Sequence, residues 1–163
     1  MVYQYQAGLR RWYQQLPTVY SSVGALITNP SGAPLLVKPS YKDEWTVAGG
    51  VADDGEPPHL ACEREVVEEL GLRVYVGNLL AVEYVQPWGA QLRPILYFMF
   101  DCGTVADHGI VLQRAELSAY QFCHPYECVD PVNLHVSACV VAGLAARTSG
   151  TTAYLPARRR FHA

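Results

Sequence analysis

No stretch of this chain is apolar for the roughly 18 residues that a membrane span needs, and neither sign of charge predominates. Twelve Lys and Arg stand against fifteen Asp and Glu, a net charge of −3 with histidine neutral. The first absence leaves no candidate transmembrane helix. The second gives no electrostatic reason to expect contact with long nucleic acids or anionic membranes, although a bound cation could still bring in a small phosphorylated ligand. Paired cysteines are missing too. The five present (Cys62, Cys102, Cys123, Cys128 and Cys139) are odd in number and scattered, with no C-x-x-C pair. That argues against a disulfide framework or a zinc knuckle and for a reduced, cytoplasmic protein. Residues 1–17 lack the charged-then-apolar order of a signal peptide and are polar and aromatic instead. Repeats, low-complexity blocks and long linkers are absent as well.

What is present is the material of one domain spanning residues 1–163, half of it hydrophobic. Residues 1–18 read as a helical extension, with an amphipathic stretch over 4–15 that stops at Pro17. Residues 21–28 (SSVGALIT) and 34–37 (PLLV) have strand length, and Asn29-Pro30-Ser31-Gly32 between them is good hairpin chemistry. A short extended stretch at 45–47 runs into Gly49-Gly50. A loop over 51–55 leads to a helix with Pro57 in its first turn and Gly71 as its stop. Residues 73–85 and 92–100 read as paired strands around Pro87-Trp88-Gly89, and 119–123 as another strand. A second helix over 130–147 would show Leu134, Ala138, Val141 and Leu144 or Ala145 on one face. Residues 151–155 could add an edge strand before a basic tail over 156–163. This order supports a mixed sheet flanked by helices.

The chemistry concentrates in residues 50–72, GVADDGEPPHLACEREVVEELGL. On a helix, Glu65 and Glu69 are one turn apart and Glu68 lies three residues beyond Glu65, so their carboxylates share one surface. Cys62, Val66 and Leu70 form the neighbouring apolar stripe. Clustered carboxylates repel, and a cation would offset this. Oxygen ligands without His or Cys favour Mg²⁺ or Mn²⁺ over zinc. An acidic helix alone would more often be a plain solvated face.

The spacing G-x5-E-x7-R-E-U-x-E-E-x-G-U, with U a bulky aliphatic residue, resembles the signature of the Nudix hydrolases at every fixed position: Gly50, Glu56, Arg64, Glu65, Glu68, Glu69 and Gly71. Seven identities at roughly 6% usage each make coincidence negligible. The resemblance implies an α/β/α sandwich with a mixed sheet and Mg²⁺-dependent cleavage of a diphosphate linkage. It implies metal ligation by Glu65, Glu68 and Glu69, with the carbonyl of Gly50 or Gly49 completing the set. One of these glutamates, or a loop carboxylate, would be the general base. Arg64 is expected to orient a glutamate, with Glu56 as partner. Glu56 is as plausibly structural as catalytic, and Gly71 is a helix stop. Relatives often carry Pro where this chain has Ala48, a change that loosens the backbone and removes no ligand.

Outside this segment, Glu116 stands where many relatives place a further catalytic or metal-binding carboxylate; a surface glutamate is the alternative. Lys38, Tyr41, Lys42 and Trp45 precede the signature on segments able to line a cleft, with Lys to meet phosphate and Tyr or Trp to stack on a base. Solubility and core packing are their plain alternatives. Trp88 at a hairpin tip could reach substrate or a partner subunit. No two histidines have ligand spacing. The expected substrate is a nucleoside diphosphate linked to a moiety X, with a normal or oxidised nucleoside triphosphate first. ADP-ribose, a nucleotide sugar, a dinucleoside polyphosphate or coenzyme A follow. A nucleotide sensor or an isomerase on the same fold are the readings of other classes. A homodimer is possible by analogy with relatives.

Overall fold

The computed structural model describes residues 2–156, with side chains described for Gln6 and from Gly8 onward. The basic tail expected over 156–163 lies outside the described residues apart from Pro156. Helix α1 (Val2–Gln15) comes first and leaves Trp12 and Tyr13 exposed. There follow β1 (Tyr20–Thr28), β2 (Leu35–Pro39), α2 (Pro58–Leu70), β3 (Leu79–Val85), β4 (Ile95–Thr104), β5 (Leu117–Phe122), α3 (Leu134–Ser149) and β6 (Ala153–Leu155).

Four strands form one mixed sheet in the order β1-β4-β3-β6. β1 runs parallel to β4, β4 antiparallel to β3, and β3 parallel to β6. Strand alternation divides the core in two. Val23, Ala25 and Ile27 of β1 with Phe98, Phe100 and Cys102 of β4 face Ala61, Cys62, Val66 and Leu70 of α2. Leu26 and Met99 point the other way, to Val136, Cys139 and Val140 of α3. A helix on each face of the sheet makes the α/β/α sandwich. Each fully buried Leu or Val contributes about 1.5–3 kcal/mol of transfer free energy, so these two layers supply most of the driving force.

Several expectations need correction. The segments 21–28 and 34–37 do not form a paired hairpin. The turn exists, with Asn29 Oδ1 accepting from the Ser31 and Ala33 amides. Only a single bridge, Thr28 with Pro34, joins the two sides, because β2 leaves the main sheet to pair antiparallel with β5. The strand expected from residue 73 starts at Leu79; ahead of it the chain meets β4 only where Gly77 donates to the Asp101 carbonyl and Asn78 accepts from the Asp101 amide. The second helix starts at Leu134, not at 130, because Asn133 caps it by accepting from the His135 and Val136 amides.

That helix also buries a different face. Leu134 is 61% exposed, and Val136, Cys139, Val140, Gly143 and Ala146 are inside. Two features turn it. Gly143 lets Met99 and Leu26 come so close that a Cβ there would lie 3.1 Å from the Met99 sulfur. One turn on, Arg147 fastens the face by a two-pronged bond to Asp101 (3.0 and 2.7 Å) and by donating to the Leu26 carbonyl.

Candidate active site

The site forms where the segment before α2 lies along β1. The Ala25 and Val23 amides donate to the carbonyls of Ala48 and Gly50 (2.9 and 2.8 Å), and the Ala52 amide donates to Ser21 (3.0 Å). These bonds fix the backbone on both sides of Gly49. The paired glycines serve two neighbours. A Cβ on Gly49 would lie 2.1 Å from the Val23 carbonyl oxygen, and one on Gly50 would lie 2.4 Å from Glu65 Oε1. One glycine lets the loop meet the sheet, and the other lets the helix carboxylate meet the loop.

Helix α2 carries the carboxylates. Pro58 opens it, and Gly71, at φ 64°, ends it with its amide on the Val67 carbonyl. Glu69 is 8% exposed on the buried edge of the helix. Its Oε2 accepts from the Gly49 amide at 2.9 Å. Burial, offset only in part by that bond, pushes its carboxyl from the usual 4.5 up to about 7. Burial also raises Glu65, against the attraction of Arg64. Glu116 adds repulsion at both.

Arg64 organises the outer rim. Its Nε and Nη2 hold the two oxygens of Glu56 at 3.0 and 2.9 Å, while Nη1 donates to Glu65 Oε1 at 2.9 Å and Glu68 Oε2 at 3.1 Å. The arginine hydrogen bonds hold the Glu56 carboxyl below its usual range, and the carboxylates raise the guanidinium further above its own. Glu56 closes the loop by accepting from the Asp53 amide.

Glu116 arrives from the far side. The Gln113 amide caps α2 on the Glu69 carbonyl (2.9 Å), and the Ser40 amide donates to the Glu116 carbonyl (2.7 Å). The residue therefore lines the same cavity as Glu69, a cleft of about 260 Å³ bordered also by Gly49, Gly50, Tyr41 and Lys42. Lys42 lies over the Tyr41 ring, 5.2 Å from its centroid. Lys38 and Trp45 are not brought to this cleft. The Lys38 ammonium donates to the Asp43 carbonyl and lies over the Trp45 ring. Trp45, 7% exposed, packs in the α3-side core with its indole N–H on Asp130. Trp88, 69% exposed, is likewise outside the cleft lining.

Ser22 and Tyr97, which sequence reasoning passed over, also line the cleft. Ser22 Oγ donates to the Gly50 carbonyl at 2.8 Å, the same oxygen that accepts from Val23. Alternation along β1 and β4 was the only available signal for either residue. The donors on offer to a metal are hard oxygens, Glu65, Glu68, Glu69 and Glu116, which suits a small divalent cation. Among the described residues no three His, Cys, Asp or Glu side chains converge as a ready-made site. Glu65 and Glu68 are turned onto Arg64, and Glu69 onto Gly49.

Comparison with known proteins agrees with this arrangement. The NUDIX domain family model matches residues 20–138, from the start of β1 into α3. A MutT-like protein of Streptomyces ambofaciens is 29% identical over 112 residues, 68% of each chain. The crystal structure of a MutT protein from Methanosarcina mazei superposes with a TM-score of 0.57 at 25% identity, covering 66% of this chain and 78% of that one. A UDP-X diphosphatase shares the fold more extensively, with a TM-score of 0.73 over 93% of this chain and 74% of its own at 21% identity. With its signature glutamates gathered on α2 against Gly49-Gly50, the chain belongs to the Nudix family of pyrophosphohydrolases.

Proposed function

We propose that this protein hydrolyses the diphosphate linkage of a nucleoside diphosphate-X compound, with a normal or oxidised nucleoside triphosphate as the first substrate class, using Mg²⁺ or, in its place, Mn²⁺. The observation that carries the reading is Glu69. A nearly buried carboxylate, aimed into a cleft and raised to about 7, is a group that a cation would return to its charged form. Glu65, Glu68 and Glu69 would hold the cation. The carbonyl of Gly50 or Gly49 was expected to complete the set; the Gly50 oxygen already accepts from Val23 and Ser22, so we give that role to Gly49. When bound, the cation supplies positive charge for the diphosphate oxygens and acidifies water.

The chain's own residues do the rest. The Gly49 amide orients Glu69, and Arg64 holds Glu65 and Glu68 in place through three carboxylates at once. Glu116, facing Glu69 across the cleft, takes the proton of the attacking water. Lys42 and Tyr41 receive the substrate at the mouth. The five free thiols fit a reducing, cytoplasmic compartment. Similarity to the UDP-X diphosphatase along 93% of the chain keeps nucleotide sugars, and ADP-ribose with them, as the second substrate class.

A substrate panel assayed with Mg²⁺, read by phosphate and diphosphate release, tests the proposal. Turnover of at least one nucleoside diphosphate-X compound, abolished by EDTA and restored by Mg²⁺, is expected. Turnover that survives chelation, or none across the panel, overturns it.

A further inference from the structure

The five cysteines are free thiols, and the fold sorts them by partner and by access. Cys62 and Cys102 face each other with their sulfurs 3.8 Å apart, yet both are shut inside the α2-side core at 0% and 4% exposure. Cys139 is buried as well. Its thiol donates to Glu83 Oε2 at 3.3 Å, and the other oxygen of that strand carboxylate meets His135 Nδ1 at 2.8 Å. Cys123 and Cys128 differ on both counts. They are half-buried, and their thiols donate to one and the same atom, the His124 carbonyl oxygen, at 3.3 and 3.2 Å.

That oxygen also accepts from the Glu127 amide at 2.8 Å, closing a tight turn over residues 124–127. The turn doubles the chain back and sets the flanking cysteines side by side. Their sulfurs lie no further apart than the two thiol bonds laid end to end. The thiols also meet each other: burial, and then the hydrogen bond with Cys123, push Cys128 up to about 12. Tyr126 and Val129 beside them are exposed, so a small solute reaches this pair and not the pair in the core.

We infer that Cys123 and Cys128 are a modification site, a dithiol that a hydroperoxide converts to an intramolecular disulfide and that low-molecular-weight thiols reopen. One sulfur attacks the peroxide oxygen, becomes a sulfenic acid and releases the alcohol or water. The second sulfur displaces water from that sulfenic acid. The two thiols together lose two electrons, the peroxide gains them, and both thiol hydrogens leave in the released alcohol and water. A thiol held protonated attacks slowly, but a pair whose thiolates gain no stabilisation favours the bridge once it forms. In a reducing compartment such a bridge is transient and follows the oxidant. It would tie the end of β5, where the Cys123 amide donates to the Pro34 carbonyl, to the connection that holds Trp45 through Asp130, Pro131 and Asn133. No step of this draws on the carboxylate cleft.

The test takes the full-length protein, reduced and desalted, and treats it with a slight excess of hydrogen peroxide before alkylation in denaturant. Two of the five thiols should be lost, with a mass lower by two hydrogens and no covalent dimer. Peptide mapping should place the bridge between Cys123 and Cys128, and dithiothreitol should return all five thiols. Chymotryptic cleavage after the exposed Tyr126 gives a second reading: the two fragments should stay joined in the oxidised protein and part on reduction. Cys128→Ser should form no bridge and leave Cys123 as a sulfenic acid that dimedone traps. Five thiols surviving the oxidant, a bridge mapped to Cys62 and Cys102, bridging between molecules, or fragments that part without reductant each overturns the inference.

Discussion

The Gly49 amide donates to Glu69 Oε2 across 2.9 Å, tying the loop before α2 to the last turn of that helix. The bond orients a carboxylate that is 8% exposed while leaving its other oxygen for the cleft. Glu69→Gln keeps an oxygen for the Gly49 amide and removes the charge. Turnover with Mg²⁺ should fall by about 100-fold or more, while the circular dichroism spectrum and melting temperature stay near those of the parent. Unchanged turnover in a folded variant would remove Glu69 from the mechanism.

The same burial makes a prediction about pH in the metal-free protein. Glu69 rises from 4.5 to about 7 on folding, and Glu65 moves in the same direction. A carboxyl raised in the folded state contributes its stability fully below pH 4.5 and loses it as pH climbs through about 7. For Glu69 alone the span corresponds to ~3 kcal/mol at most. Melting in EDTA should therefore weaken between pH 5 and pH 8 (about the span of the shift), and Glu69→Gln should flatten that slope. Added Mg²⁺ should restore stability at the upper end. A parent and variant with parallel pH profiles would show that Glu69 carries no such shift.

The relation of these two residues was only half legible in the sequence. Glu65 and Glu69 share a helix face by spacing alone, and Gly71 stops that helix for the reason its sequence position suggests. Glu116 is different: it reaches the cleft only because Gln113 caps α2 and Ser40 anchors the turn, contacts that no local pattern records. Trp45 and Lys38 looked like cleft residues because they precede the glycine pair, yet Trp45 has more to gain from burial beside α3. The face of α3 was misread for a related reason. Two apolar stripes satisfy the helical period, and the choice between them is made by Gly143 and Arg147 against β1 and β4. Glu83 was the missed signal, a lone charge inside LLAVEYV, which demands a partner that only the fold supplies.

Arg64 joins three carboxylates, and its geometry cannot be reproduced by lysine, which has no planar fork. In Arg64→Lys the two-pronged bond to Glu56 is lost and Glu65 and Glu68 gain rotational freedom. We expect kcat to drop by about tenfold or more with a melting temperature lowered by only a few degrees, because the cluster is partly solvent-screened. Glu56→Gln should move kcat the same way. The double variant should be no worse than the poorer single one, since both act through one network. Additive losses would separate Glu56 from Arg64.

The glycine pair offers the sharpest separation of fold from chemistry. A Cβ on Gly49 meets backbone, the Val23 carbonyl at 2.1 Å, whereas one on Gly50 meets a side-chain carboxylate, Glu65 Oε1 at 2.4 Å. Backbone in β1 has little room to give, being held in register with β4. Gly49→Ala should therefore destabilise the protein strongly, by about 1–3 kcal/mol or more as overpacking does, visible as an earlier denaturant midpoint. In Gly50→Ala the Glu65 carboxylate can swing aside, so the fold should persist while Mg²⁺-dependent turnover falls by an order of magnitude or more, roughly the cost of a misplaced catalytic group. Equal destabilisation by the two substitutions, or full activity in Gly50→Ala, would contradict this division of labour between the two glycines.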